Sequence, residues 1–145
     1  RRIKPLRQAL QAVAFGVAAL AHTPASADVA LLLFDGEKGR TFVGCLNCGR
    51  FDDASVCNKF GDYGSKFSDK SIWNQFGDFG SKFETNSPWN RFGEGLRIVD
   101  AQGNYYGRLT ASISGRSRLQ VVTQIIAAHE AVESLDQLQE MLCGS

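Results

Sequence analysis

The sequence predicts an α+β fold. Two short β-hairpins pair into a small antiparallel sheet, frame a 16-residue Gly/aromatic repeat, and carry a C-terminal helix or helix pair. Three observations predict it. Two segments share the order apolar-Asp, a Gly-containing turn, two bulky residues and Gly. The middle of the chain repeats itself. The C-terminal part has apolar residues at helical spacing.

The first hairpin runs from Leu33-Phe34-Asp35-Gly36 to Phe42-Val43-Gly44-Cys45-Leu46, and the second from Ile98-Val99-Asp100-Ala101 to Tyr105-Tyr106-Gly107-Arg108-Leu109. A lone hairpin is marginal in water, so the two are expected to pair with each other. Between them, units 51–66, 67–82 and 83–95 align, the last diverging after Gly93. Five columns are invariant: Phe51/67/83, Ser55/71/87, Asn58/74/90, Phe60/76/92 and Gly61/77/93. Each unit reads as a short helical turn, a Gly turn and a short extended piece. Gly61, Gly64, Gly77 and Gly80 are expected at positive φ. The Phe columns are expected to stack inward as one apolar stripe, so that Phe76→Ala would cost about 3–5 kcal/mol. In the helical part, 116–143, Leu119, Val122, Ile125, Ile126, His129 and Val132 form an apolar stripe expected to pack on the sheet. Ser134-Leu135-Asp136-Gln137 resembles a capping box, and Gly144 a stop.

Composition narrows the function. The 145 residues suffice for one domain. Hydrophobic residues at 43% and charged residues at 21% exclude a disordered acidic chain and a fibre. Arg1, Arg2, Lys4 and Arg7 precede the apolar run Ala9 to Ala21, and Ala25-Ser26-Ala27 follows. That order is a signal peptide over 1–27 with a cut before Asp28, leaving 28–145 as a single repeat-containing domain. The cut removes four of 16 basic side chains and no acid, leaving 12 against 15 and a net charge of −3. No basic run remains, so no nucleic-acid partner is expected, and no membrane span after signal cleavage. The expected location is periplasmic or extracellular.

Cys45, Cys48, Cys57 and Cys143 all lie beyond the cut. In an oxidising compartment they read as two disulfides. Cys45 and Cys48 flank turn-prone Asn47. Cys57 stands in the repeat column that holds Trp73 and Trp89, and Cys143 ends the amphipathic segment. The expected pairing is therefore Cys45–Cys48 with Cys57–Cys143. Two other uses of these sulfurs compete with it. One is a zinc set of Cys45, Cys48 and Cys57 with Cys143 or His129; the other is a Cys-x-x-Cys thiol-disulfide redox site. A calcium reading rests on Asp52, Asp53, Asp62, Asp69 and Asp78 with Asn58, Asn74 and Asn90 beside Gly turns.

The expected activity is a non-catalytic structural or interaction module without a cofactor, its partner an unknown protein or glycan of the cell envelope. His129, the one histidine past the cut, reads as a satisfied core residue, and no G-x-S-x-G elbow occurs. Tyr63, Trp73, Phe79 and Trp89 are a candidate aromatic binding surface, though the same rings would serve as the repeat's core.

Gly44-Cys45-Leu46-Asn47-Cys48, the run Asn74-Gln75-Phe76-Gly77-Asp78-Phe79-Gly80-Ser81-Lys82-Phe83 and the second hairpin together resemble a group of uncharacterised bacterial exported proteins with tandem N-x-[YF]-G-x-[YF]-G-S-K-[YF]-S repeats. The resemblance covers roughly Leu33 to Thr110. Glu84 departs from the pattern, and the third unit lacks its Gly-Ser-Lys end. It implies export and a compact repeat domain, and brings no catalytic residue.

N-terminal sequencing of the exported product should begin at Asp28. Recovery of intact Arg1 outside the cytoplasm would overturn the export reading.

Overall fold

A computed structural model describes residues 29–144, so the expected signal peptide over 1–27 and its expected cut lie outside the described residues. The fold is α+β. Strands β1 (Leu32–Asp35), β2 (Phe42–Cys45), β3 (Leu96–Val99) and β4 (Tyr105–Leu109) form one sheet in the order β2-β1-β3-β4. Helices α1 (Gln120–Ala131) and α2 (Leu135–Cys143) follow. Every strand pair is antiparallel, and the hairpins join through β1 and β3 with Leu33 opposite Ile98. Alternation sends Leu33, Val43, Leu96, Ile98 and Leu109 into the core, where Val122, Ile125 and Ile126 of α1 and Leu138 of α2 meet them.

Each hairpin hangs on its Asp. Asp35 accepts backbone N–H bonds from Lys38, Gly39, Arg40 and Thr41 at 2.7–3.2 Å. Burial opposes its charge, but these four donors outweigh burial and leave the carboxyl below its ordinary value. Asp100 accepts from the Asn104 side chain, the Tyr106 hydroxyl and two backbone N–H groups, and its carboxyl is held at about 2. The duplicated glycines, Gly44 at φ +108° and Gly107 at φ +93°, sit where the next segment closes on a sheet edge. A Cβ on Gly44 would come 2.9 Å from Tyr63, and one on Gly107 2.7 Å from Ser117. Thus the first repeat unit covers the β2 edge through Cys45 and Ser55, and Arg116 covers the β4 edge through Arg108.

Residues 52–93 run as a chain of β-turns. Backbone N–H groups of Ser55, Asn58 and Gly61 each donate to the carbonyl three residues before, and Ser65 donates to Gly61, four before. The same corners recur at Ser71, Asn74, Gly77 and Ser81. Four three-residue steps and one four-residue step thus make the 16-residue period. A side chain clamps most corners by accepting the N–H two residues on. Ser71 accepts from Trp73 at 3.0 Å, Asn74 from Phe76 at 3.0 Å, and Ser81 from Phe83 at 3.2 Å. This corrects the expected helical turn with an extended piece.

The glycine expectation is corrected too. None of Gly61, Gly64, Gly77 and Gly80 is among the positive-φ glycines. Gly64 and Gly80 are required by crowding: a Cβ there would lie 2.0 Å from the Asn58 or Asn74 carbonyl oxygen.

The larger correction concerns which aromatics face in. Val56, Ile72 and Pro88 form one buried column, Ser55, Ser71 and Ser87 a second, and Trp73 and Trp89 a third. Phe60, Phe76 and Phe92 are 97%, 87% and 95% exposed, so the inward Phe stripe does not form. Corner position decides it. The residue two beyond Asn58, Asn74 or Asn90 stands outside its turn, while the residues one and two beyond Ser71 and Ser87 point inward, although both kinds of corner carry the same clamp.

Cys45–Cys48 and Cys57–Cys143 are both disulfide-bonded, as the spacing argument expects. The second closes an 86-residue separation and ties the end of α2 to the first unit.

Phe76→Ala should change stability by no more than about 0.5 kcal/mol, as at other exposed sites, whereas Trp89→Ala should cost about 3–5 kcal/mol. Denaturant titration of both variants checks the pair, and equal losses would refute this orientation of the columns. Replacing Cys57 and Cys143 by Ala should cost roughly 4–5 kcal/mol through loop entropy, against roughly 2 kcal/mol for the Cys45–Cys48 pair; the same titration ranks them.

Candidate binding surface

The repeat forms an inner and an outer layer. Inside, Trp73 Nε1 donates to the Val56 carbonyl at 2.6 Å and Trp89 Nε1 to the Ile72 carbonyl at 2.7 Å. Each bond ties one unit to the unit before it. The two indoles stack with centroids 5.9 Å apart, and the His129 ring of α1 stacks on Trp89 at 4.8 Å. At the opposite end, Gln139 of α2 is buried and donates to the Val56 and Gly64 carbonyls. The helix hairpin therefore closes both ends of the inner stack, as repeat arrays need.

The candidate aromatic surface is corrected by this arrangement. Trp73 and Trp89 are each 2% exposed and belong to the core. Phe79 packs against the core, half-buried. Tyr63 is half-buried with its ring edge-on to Phe42 at 5.0 Å. None of the four makes an open platform.

Six other rings do. Phe51, Phe67 and Phe83 are 81–83% exposed and join Phe60, Phe76 and Phe92 outside. A cation from the preceding residue lies over each ring of the first ladder: Arg50 at 5.6 Å from the Phe51 centroid, Lys66 and Lys82 at 5.4 Å from Phe67 and Phe83. Beside the ladders run recesses toward α2 and the α1–α2 loop. Phe67 and Phe76 share one of about 460 Å³ with Leu135, and Phe76 and Phe83 share one of about 640 Å³ with His129 and Val132. Phe67, Phe76 and Phe83 thus border two neighbouring recesses that share Phe76. Sequence reasoning treated Phe as core by residue type. The signal it missed was the sub-period of Ser, Asn and Gly corners, in which the residue two beyond Asn58, Asn74 or Asn90 is outward while the residue two beyond Ser71 or Ser87 is inward.

The residues of the metal readings have other employment. All four cysteines are in disulfides, which leaves no thiolate for zinc or for a resting dithiol. Asn58 and Asn74 are engaged at both ends. Their Oδ1 atoms accept from Phe60 and Phe76, and their Nδ2 groups donate to the Asp52 and Ser68 carbonyls. Among the described residues no three His, Cys, Asp or Glu side chains converge as a metal set. No helix among them is long and apolar enough to cross a membrane. The disulfides themselves belong to an oxidising, non-cytoplasmic environment.

His129 corrects the satisfied-core expectation. Its ring is only half-buried, yet its Nδ1 atom is buried without a hydrogen-bond partner. Burial lowers its pKa below the ordinary value of 6.5, with Glu130 opposing.

Comparisons with protein-family models, with curated proteins and with solved structures find no match to the chain.

Because the folded state binds a proton at His129 less readily than the unfolded chain, stability from this site is full above about pH 6.5 and falls as pH drops below it. His129→Phe keeps an aromatic ring on Trp89 and removes the titration. Its denaturation midpoint should therefore fall less than wild type between pH 7 and pH 5. Parallel slopes would show that the ring is not held neutral.

Proposed function

We propose that this is an exported, non-catalytic interaction module of the periplasm or extracellular space, in the manner of the exported repeat proteins it resembles. One observation carries the reading: six Phe rings of the repeat stand more than four-fifths exposed. Large exposed apolar side chains in such number mark an interaction site more often than an idle surface. Rigidity supports the reading, because the clamped corners, the indole bonds and a disulfide hold the rings in place without a partner. A pre-ordered surface loses little entropy on binding. The oxidised cysteines support export. The metal-binding and thiol-redox alternatives draw no support from the geometry of the bonded cysteines and the engaged Asn side chains.

The triple variant Phe67→Ser/Phe76→Ser/Phe83→Ser tests the reading. Wild-type protein immobilised against native cell-envelope extract should retain specific material, further copies of itself included. The variant should fold with unchanged Trp fluorescence and lose at least 90% of the retained material. Equal retention by both would overturn the interaction reading.

A further inference from the structure

We infer that the outer face of the sheet holds a separate binding site, for a small ligand that joins one carboxylate to an apolar or aromatic body. None of the exposed Phe rings of the repeat lines it, so it stands apart from the interaction reading above.

Strand register builds the site. Leu33, Leu96 and Ile98 point into the core, so their neighbours Phe34, Arg97 and Val99 point to the other side of the sheet. Phe34 on β1 is opposite Arg97 on β3, and Arg97 is opposite Arg108 on β4, which makes one row across three strands. Val99 opposite Tyr105 makes the next row. These five side chains and Gly39 of the β1–β2 turn line a recess of about 550 Å³, the size of a small-molecule pocket. Its aromatic wall is braced from behind, with Phe34 on Phe42 at 5.5 Å and Phe42 on Tyr63 at 5.0 Å.

Charge makes the recess a site for an anion. Like charges directly opposite each other on a sheet repel. Here both guanidinium groups are drawn to one oxygen: Arg97 Nε and Arg108 Nη1 each donate to the Gly36 carbonyl at 3.0 Å. Glu94 answers one of them. Its carboxylate lies 3.1 Å from Arg108 Nη1, and its carbonyl accepts from the same nitrogen at 3.0 Å. Arg97 has no such acid: among the described residues no carboxylate comes within ion-pair range of it. Glu37 offers Arg97 its backbone carbonyl, 3.1 Å from Nη2, while its carboxylate accepts from Asn86. The two arginines that line the recess thus share one acid, which leaves one positive charge in excess.

Shape selects a carboxylate. Arg97 spends the Nε–Nη2 edge of its guanidinium on the Gly36 and Glu37 carbonyls. The edge formed by Nη1 and the second N–H of Nη2 keeps the fork that matches the two oxygens of a carboxylate. Gly39 leaves that end room. It sits at φ +67°, and a Cβ there would lie 2.9 Å from Arg97 Nη1. Phe34, Val99 and Tyr105 supply an apolar wall for the body of the ligand. A neutral ring laid on that wall would desolvate Arg97 without pairing it, and a doubly charged phosphate ester exceeds the single excess charge.

Nitrogen–proton correlation NMR of the disulfide-intact protein, titrated at constant ionic strength with sodium benzoate, benzamide and phenyl phosphate, decides the matter. Benzoate should saturate with half-occupancy at about 1 mM or below, and the largest shifts should fall on the amides of Gly39, Arg97 and Arg108. Benzamide, the same ring without the charge, should bind at least tenfold more weakly. Phenyl phosphate should bind no more tightly than benzoate. Arg97→Gln should weaken benzoate at least tenfold with unchanged Trp fluorescence. Tyr105→Ser, at a position 56% exposed, serves if the Gln variant fails to fold, and should weaken benzoate about threefold. Shifts that do not saturate, equal binding of benzamide, or benzoate affinity untouched by both variants would overturn the site. Tighter binding of phenyl phosphate overturns the carboxylate. The triple Ser variant should bind benzoate as wild type does, so this site and the interaction reading fail separately.

Discussion

The bond from each indole N–H to a carbonyl of the unit before it is what the rest of the repeat depends on. Turns placed every three residues form no ladder of backbone bonds between units. Without a cross-link the units would be a string of local bends. The Trp side chain supplies that link in the one place where an unpaired carbonyl would be costly, inside the core. It fills volume and pairs a buried acceptor at once.

The ends of the array follow from the same requirement. The first unit has no unit before it, and a Trp at position 57 would find no carbonyl partner. Cys57 stands there instead, bonded to Cys143, while Gln139 donates to the Val56 carbonyl beside the Trp73 indole. After Trp89 there is no further Trp, and the His129 ring covers its indole face instead. The helix hairpin thus reaches both ends of the stack, which explains why an amphipathic pair of helices follows a repeat that has no helix of its own.

Much of this was legible in the chain. The paired hairpins could be read because both carry the same Asp–turn–bulky–Gly order, and both Asp residues bind the turn as short polar side chains do. The cysteine pairing could be read because Cys57 interrupts a Trp column. The direction of the Phe columns could not be read from residue type. Hydrophobicity puts Phe inside, but the corner each residue follows in the chain of turns overrides it. The role of Gly64 and Gly80 was hidden for a related reason: their need is for space beside a carbonyl, and turn propensity alone suggests positive φ. His129 was placed on the right helix face, but its orphaned Nδ1 comes from tertiary stacking that no local pattern announces.

The four-residue step at Gly64 and Gly80 has a consequence for how such a chain lengthens. Three-residue steps alone would drift out of phase with the indole bond. The extra residue restores the phase once per unit, and it fits only where the side chain is a hydrogen. A gain or loss of three, six or nine residues would strand every later Trp from its carbonyl. A gain of one whole unit would leave each bond intact and extend both outer ladders by one ring. Gene duplication can therefore resize this surface only in quanta of sixteen residues, while the hairpins and the helix cap stay as they are.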